Sequence, residues 1–296
     1  MDIMKREELL HVLNTLGCEP EDVTVLLRAF DRLQGHPEAR AAFDEACALY
    51  RAAPPHDHAE MLRLAETAAR HSGVHEYAAE FLLYACLSDT LLSRYRERGL
   101  SETLFWNTLQ DLRYKLEECK AVKGIVGTFV ASWFEGFFEL TRFAFGRLQC
   151  EVIPFEADYE KDGKTLTPTS RVLNVHIPRD GTPLDPARCE EAYAEAAAFF
   201  RKEIDGPMAF VCFSWLLYPE NETILSDKSN IVRFMKRYDV IRHGTNKNRP
   251  DLWRLFDTDE QNPDRLPTDT SARRAYVRHL QNGGKLGWGY GVFFSE

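Results

Sequence analysis

Apolar residues in the first half of the chain recur with the three-to-four-residue spacing of amphipathic helices. Leu9, Leu10, Leu13 and Leu16 open the series, and Gly17 is placed to end it as a C-cap. Pro20 stands where a first helical turn tolerates proline, ahead of Val23, Leu26, Leu27 and Phe30. A third segment, His36–Arg51, stops at Pro54-Pro55. The spacing predicts further helices over about Asp57–His71, Val74–Arg98 and Ser101–Cys119. A last, strongly aromatic helix is predicted over Thr128–Phe145, its rings read as packing. Almost no strand signal interrupts this half, so residues 1–145 are predicted to be an all-helical N-terminal domain.

The period changes at Phe145-Gly146-Arg147. Arg147–Phe155 alternates as a strand does, a turn follows at Lys161-Asp162-Gly163-Lys164, and Arg171–Ile177 is a second strand closed by Pro178. Asp185 caps a helix that has Pro186 in its first turn and reaches about Glu203. Met208–Leu217 reads as a central apolar strand, Ser229–Tyr238 as a helix and Asp239–His243 as a short strand. Thr270 caps a helix to about Asn282, stopped by Gly283-Gly284, and Lys285–Phe294 is a glycine-interrupted strand. Strands alternating with helices predict a sheet with helices packed on it over residues 146–296. The fold class is thus α+β: a helical domain, then a mixed α/β domain.

Composition narrows the partners more than the fold. Apolar residues are 44% and charged residues 28%, the balance of a soluble globular protein. A formal charge of −9 argues against a nucleic-acid partner, which calls for a basic face. The seven cysteines are scattered and include no C-x-x-C pair, so reduced thiols in a cytoplasm are expected rather than a disulfide framework or a zinc ribbon. The opening MDIMKREELL is polar and helical, unlike a signal peptide, and no apolar run approaches the ~20 residues of a membrane span. A cytoplasmic protein without a membrane partner is expected.

Familiar catalytic motifs are missing. The chain has no G-x-x-x-x-G-K-[ST], no G-x-G-x-x-G, no G-x-S-x-G and no H-E-x-x-H. His56, His58, His71 and His75 fall close together, but no carboxylate or cysteine stands at ligand spacing, so loop histidines and no metal are expected. His176 ends a strand and shares a face with Val172 and Asn174; an imidazole there suits a general base near neutral pH, or a half-buried histidine bonded to backbone. Ser214 and Cys212 share one face of the central strand, where Ser214 could orient a substrate or simply pack, and Cys212 reads as an inert buried thiol. Ser229 caps a helix beside Lys228 and Asn230, with Arg233 and Lys236 further along. Unpaired N–H groups at such a start and nearby cations suit phosphate, though capping alone explains the serine.

Gly146-Arg147-Leu148-Gln149, Val175-His176-Ile177-Pro178, Ser214-Trp215-Leu216-Leu217 and Ser229-Asn230-Ile231 with Phe234 are the residues on which the chain resembles the bacterial two-domain acyltransferase-like proteins of the GNAT superfamily. The resemblance spans nearly the whole chain and is anchored in residues 146–294. It implies a GNAT-like second domain and acyl transfer from an acyl-CoA or acetyl-CoA cosubstrate to a small-molecule amine acceptor. The cofactor pyrophosphate would lie before Ser229, against Lys228, Ser229, Asn230 and Arg233. His176 would then be the base for the amine and Ser214 a substrate or leaving-group contact. The chain departs from the superfamily in lacking Gln/Arg-x-x-Gly-x-Gly/Ala, and Ile224–Asn230 has no glycine. The alternative is a non-catalytic GNAT-like domain that binds a metabolite or a protein; a hydrolase using Ser214 ranks behind both.

Overall fold

The computed structural model describes residues 4–246 and 252–295. The chain divides into two compact units, Met1–Phe143 and Ala144–Glu296.

The first unit is helical. Its helices are α1 (Arg6–Thr15), α2 (Pro20–Gly35), α3 (Pro37–Arg51), α4 (His58–Ser72), α5 (Glu76–Cys86), α6 (Ser88–Glu97), α7 (Glu102–Leu109) and α8 (Asp111–Lys123). Met1–Ile3, the start of the polar opening, lie outside the described residues. Gly17 takes the left-handed conformation at φ +71, and Cys18 N–H reaches back to the Leu13 carbonyl at 3.1 Å, which ends α1 as its sequence predicts. Two predicted helices are each two. Leu87 turns the chain between α5 and α6, and Gln110 between α7 and α8, with no glycine or proline to announce either break. The core gathers side chains such as Leu13, Leu26, Phe43, Tyr50, Phe81 and Tyr84, all buried.

The aromatic segment is not one helix. It forms a 3-10 turn (Ala131–Phe134), a single-turn helix α9 (Glu135–Phe138) and a strand β1 (Arg142–Phe145). Leu140 at φ +54 breaks the helical path between them. With aromatics on every side the segment carries no dominant period, and the pattern overstated its helicity. Its rings nonetheless pack: Phe134 and Phe138 meet Tyr84 edge-on, with centroids 5.1 and 4.7 Å away.

The second unit is a mixed sheet with helices. Its further elements are β2 (Leu148–Pro154), β3 (Tyr159–Lys161), β4 (Lys164–Leu166), β5 (Arg171–His176), α10 (Pro186–Phe199), β6 (Ala209–Ser214), α11 (Asn221–Ile224), α12 (Asn230–Met235), β7 (Asp239–Thr245), α13 (Leu252–Phe256), α14 (Ser271–Gln281) and β8 (Gly287–Phe294). The six-stranded order is β1-β2-β5-β6-β8-β7, with β3-β4 a separate hairpin. That hairpin turns at Asp162 and Gly163, both at positive φ (52 and 73), the conformation its residues favour.

Registers fix the faces of the sheet. Glu151 opposes Asn174, Asn174 aligns with Val211, and Val211 opposes Val292. One face therefore carries Glu151, Val172, Asn174, His176, Val211, Phe213, Trp288, Tyr290 and Val292, and Val172, Val211, Tyr290 and Val292 join its buried cluster. The other carries Leu173, Phe210, Cys212, Ser214 and Phe293 under α10, where Tyr193 packs 4.9 Å from Phe210 and 5.0 Å from Phe293.

On that second face β8 has only glycine at 287, 289 and 291. A Cβ at Gly289 would lie 2.1 Å from the Leu217 carbonyl oxygen, and one at Gly287 2.2 Å from the Tyr218 ring. The glycines admit the 3-10 turn Trp215–Leu217 that leaves β6. Buried Asn221 pins the turn, donating to the Trp215 and Leu216 carbonyls at 3.0 and 3.1 Å and accepting from the Tyr276 hydroxyl.

Candidate functional site

Strands β5 and β6 run parallel, joined through α10, and their recorded pairs are Leu173 with Phe210 and Asn174 with Val211. Among the described residues the ladder goes no further, although β5 continues to His176 and β6 to Ser214, so it ends short of their carboxyl ends. Open α/β sheets bind ligands outside the carboxyl ends of such strands. Two loops leave this crevice: residues 177–185 after β5, and residues 215–229 after β6.

His176 stands at the crevice, its side chain 19% exposed. Its Nε2 lies 2.6 Å from Glu151 Oε1 across the β2–β5 ladder, and Asn174 Nδ2 donates to the same oxygen at 3.2 Å. Asn174 Nδ2 is also 3.1 Å from the ring Nε2. Both bonds to Glu151 are made at once when Nε2 carries the proton. A carboxylate behind an imidazole is the arrangement of a general base with its orienting partner. On the same face Phe213 is 62% exposed and its ring lies tilted against Trp288, centroids 4.9 Å apart, an apolar surface on the sheet that bears the imidazole.

Ser214 lies on the opposite face, and its Oγ accepts the Leu216 N–H at 3.2 Å. The structure does not bring it to His176. Cys212 beside it is fully buried, and burial pushes its thiol well up.

Ser229 caps α12, its Oγ accepting the Ile231 N–H at 3.2 Å, and the helix runs only to Met235. Lys228 and Arg233 are exposed, and Ser229 and Asn230 are half-buried. The loop closes on itself, with Ser229 N–H bonded to the Ser226 carbonyl at 2.8 Å and Lys228 N–H to Ser226 Oγ at 3.3 Å. The loop after β5 is held differently. Arg147, 5% exposed, donates to the Pro178 carbonyl at 2.9 Å and pairs with Asp180 at 3.5 Å, and Gly181 turns at φ +76. The Asp185 carboxylate already occupies the Ala187 and Arg188 N–H groups at the start of α10.

Sequence reasoning missed Glu151, which only the strand register places beside His176. The histidines of the helical unit fall into two pairs. His71 pairs with Glu38 at 2.9 Å and His75 caps α5 through the Tyr77 N–H, so their i,i+4 spacing means nothing. His56 and His58, however, converge on Glu139, 83 and 81 positions away, a carboxylate that local spacing cannot reveal.

A GNAT-like C-terminal domain matches residues 142–293, and an N-acyltransferase N-terminal domain matches residues 7–140. No curated protein matches the chain. Among solved structures, an acyltransferase mutant in complex with octanoyl-CoA is similar at 20% identity and a TM-score of 0.77, covering 100% of this chain and 90% of that one. An acyltransferase in complex with decanoyl-CoA and teicoplanin is similar at 22% identity and a TM-score of 0.64, covering 98% and 99%. An acyltransferase in complex with decanoyl-CoA follows at 21% and 0.65, with the same coverage. These likenesses concern the fold. With that C-terminal match spanning over half its length, the chain belongs to the family that carries a GNAT-like C-terminal domain, here behind an N-acyltransferase N-terminal domain.

Proposed function

We propose that this chain is an acyl-CoA-dependent N-acyltransferase that moves an acyl group to a small-molecule amine. The observation that carries the reading is the His176–Glu151 pair where the β5–β6 ladder ends. Family membership over both halves supports it, as does a fold shared with acyltransferases that hold octanoyl-CoA or decanoyl-CoA.

In this reading the backbone edges of β5 and β6 beyond that ladder receive the amide-bearing arm of the cosubstrate as an added strand would be received. His176 takes a proton from the amine, and Glu151 stabilises the imidazolium. The amine nitrogen attacks the thioester carbonyl carbon, the C–S bond breaks, an amide forms, and the departing thiolate takes up a proton. Ser214, on the other face, serves the leaving sulfur rather than the amine. Lys228, Ser229, Asn230 and Arg233 contact the cofactor phosphates, α12 having a neutral cap with flanking cations where α10 begins on a carboxylate. Exposed Phe213 beside half-buried Trp288 favours a medium acyl chain over acetyl.

Thermal unfolding with CoA, acetyl-CoA and octanoyl-CoA tests this. A ligand at ~100 times its Kd adds about 2.7 kcal/mol of stability, and octanoyl-CoA is expected to give the largest rise. Arg233→Ala should weaken the shift. If Arg179→Ala weakens it instead, the phosphates belong to the loop after β5. No shift with any ester would leave a GNAT-like domain that binds something other than CoA.

A further inference from the structure

The helical unit holds a second constellation, remote from the crevice in its chemistry and unused by acyl transfer. His56 lies in the loop after α3, His58 is the first residue of α4, and Glu139 follows α9. His56 Nδ1 and His58 Nε2 both point at Glu139 Oε1, the second at 2.7 Å, and the donor atoms of all three lie within 4.8 Å of one another. The histidine side chains are 1% and 4% exposed and the glutamate 25%.

The opposite ring nitrogens decide what this convergence means. His56 Nε2 is 3.2 Å from the Ala52 carbonyl, and His58 Nδ1 is 3.1 Å from the Tyr84 hydroxyl. Each imidazole thus has an oxygen behind it that can accept its outer proton when the inner nitrogen binds a metal. Arg94 Nη2 also approaches His56 Nε2, at 2.8 Å. It donates there as it does to the Tyr50 carbonyl at 2.5 Å, so before an ion binds His56 accepts at Nε2 and donates through Nδ1 to Glu139. A cation between the three would replace the protons that the inner nitrogens otherwise donate to Glu139, turning two imidazoles and a carboxylate into a donor set that faces one point.

We propose that His56 Nδ1, His58 Nε2 and Glu139 form a binding site for a borderline divalent transition ion, zinc in the first place, with a fourth position left to solvent. Two imidazoles and a carboxylate are a zinc donor set, and bond lengths of about 2.0–2.2 Å fit within their spacing after small side-chain rotations. The ion would clasp the loop before α4 to the residue after α9.

The test is titration of the chelator-treated full-length protein with Co2+, whose visible d–d bands report a low-coordinate nitrogen and oxygen site, followed by displacement with Zn2+. One Co2+ per chain, intense visible bands and their loss on adding zinc are expected. His58→Gln and Glu139→Gln should each weaken binding by more than roughly tenfold, since even outer-partner losses cost 10–100-fold, whereas His71→Gln should leave it unchanged. Absence of bands in the wild-type protein overturns the proposal, whatever the variants do. So do bands that survive both substitutions in protein whose circular dichroism is native; the trio would then be a hydrogen-bonded network of neutral histidines on Glu139.

Discussion

His176 and Glu151 are the residues on which the proposed chemistry turns. His176→Gln removes the base and keeps the bulk, so the acyl-transfer rate should fall by about 10²–10⁴-fold while the acyl-CoA thermal shift persists. Glu151→Gln should cost less and should move the pH dependence of kcat/KM, because the carboxylate acts through the ring. A rate unchanged in His176→Gln would remove the assignment. Glu80 makes a separate prediction, about stability. Burial and the charges of Glu66 and Glu76 push its carboxyl up from 4.5 to about 7. The folded state therefore keeps this proton where the unfolded chain has lost it. The stability linked to Glu80 is fully present below about pH 4.5 and declines as pH rises to about 7. Glu80→Gln should gain on the wild type, by roughly 1–2 kcal/mol, between pH 5 and pH 8 in denaturant titrations. At this scale the sequence exposed His176 through its alternating strand and final proline. Glu151 and Glu139 stayed hidden because their partners arrive through strand register and long-range packing.

Among the elements, those with local punctuation were legible and those without were not. Gly17, Pro20, Asp185 and Thr270 marked their helix ends. The breaks at Leu87 and Gln110 passed unseen because tertiary packing, not a breaker residue, bends the chain there. The strand β1 was lost inside an aromatic run whose rings suit helix and strand alike. The glycines of β8 were visible as interruptions, but their reason is the 3-10 turn laid against them. Gly289→Ala should therefore destabilise the protein by about 1–3 kcal/mol through overpacking against Leu217, read as a lower urea midpoint at unchanged slope. Gly163, at positive φ in an open hairpin turn, should cost less as alanine.

For the whole molecule, the period of the sequence changes at residue 145, and the chain divides into two units at Phe143 and Ala144. The same scale carries the cysteines. All seven are buried and unbridged. Burial pushes Cys189 up to about 11, and Cys18, Cys47 and Cys119 up to about 12. Thiolate is the reactive form, so a thiol reagent at neutral pH should find none of them in the folded chain and seven after denaturation. A chain that conceals every native thiol needs no cysteine-free background for labelling. Asp227→Cys, at an exposed position in the loop before α12, would be its single addressable sulfur, and a fluorophore there could report the arrival of an acyl-CoA in real time.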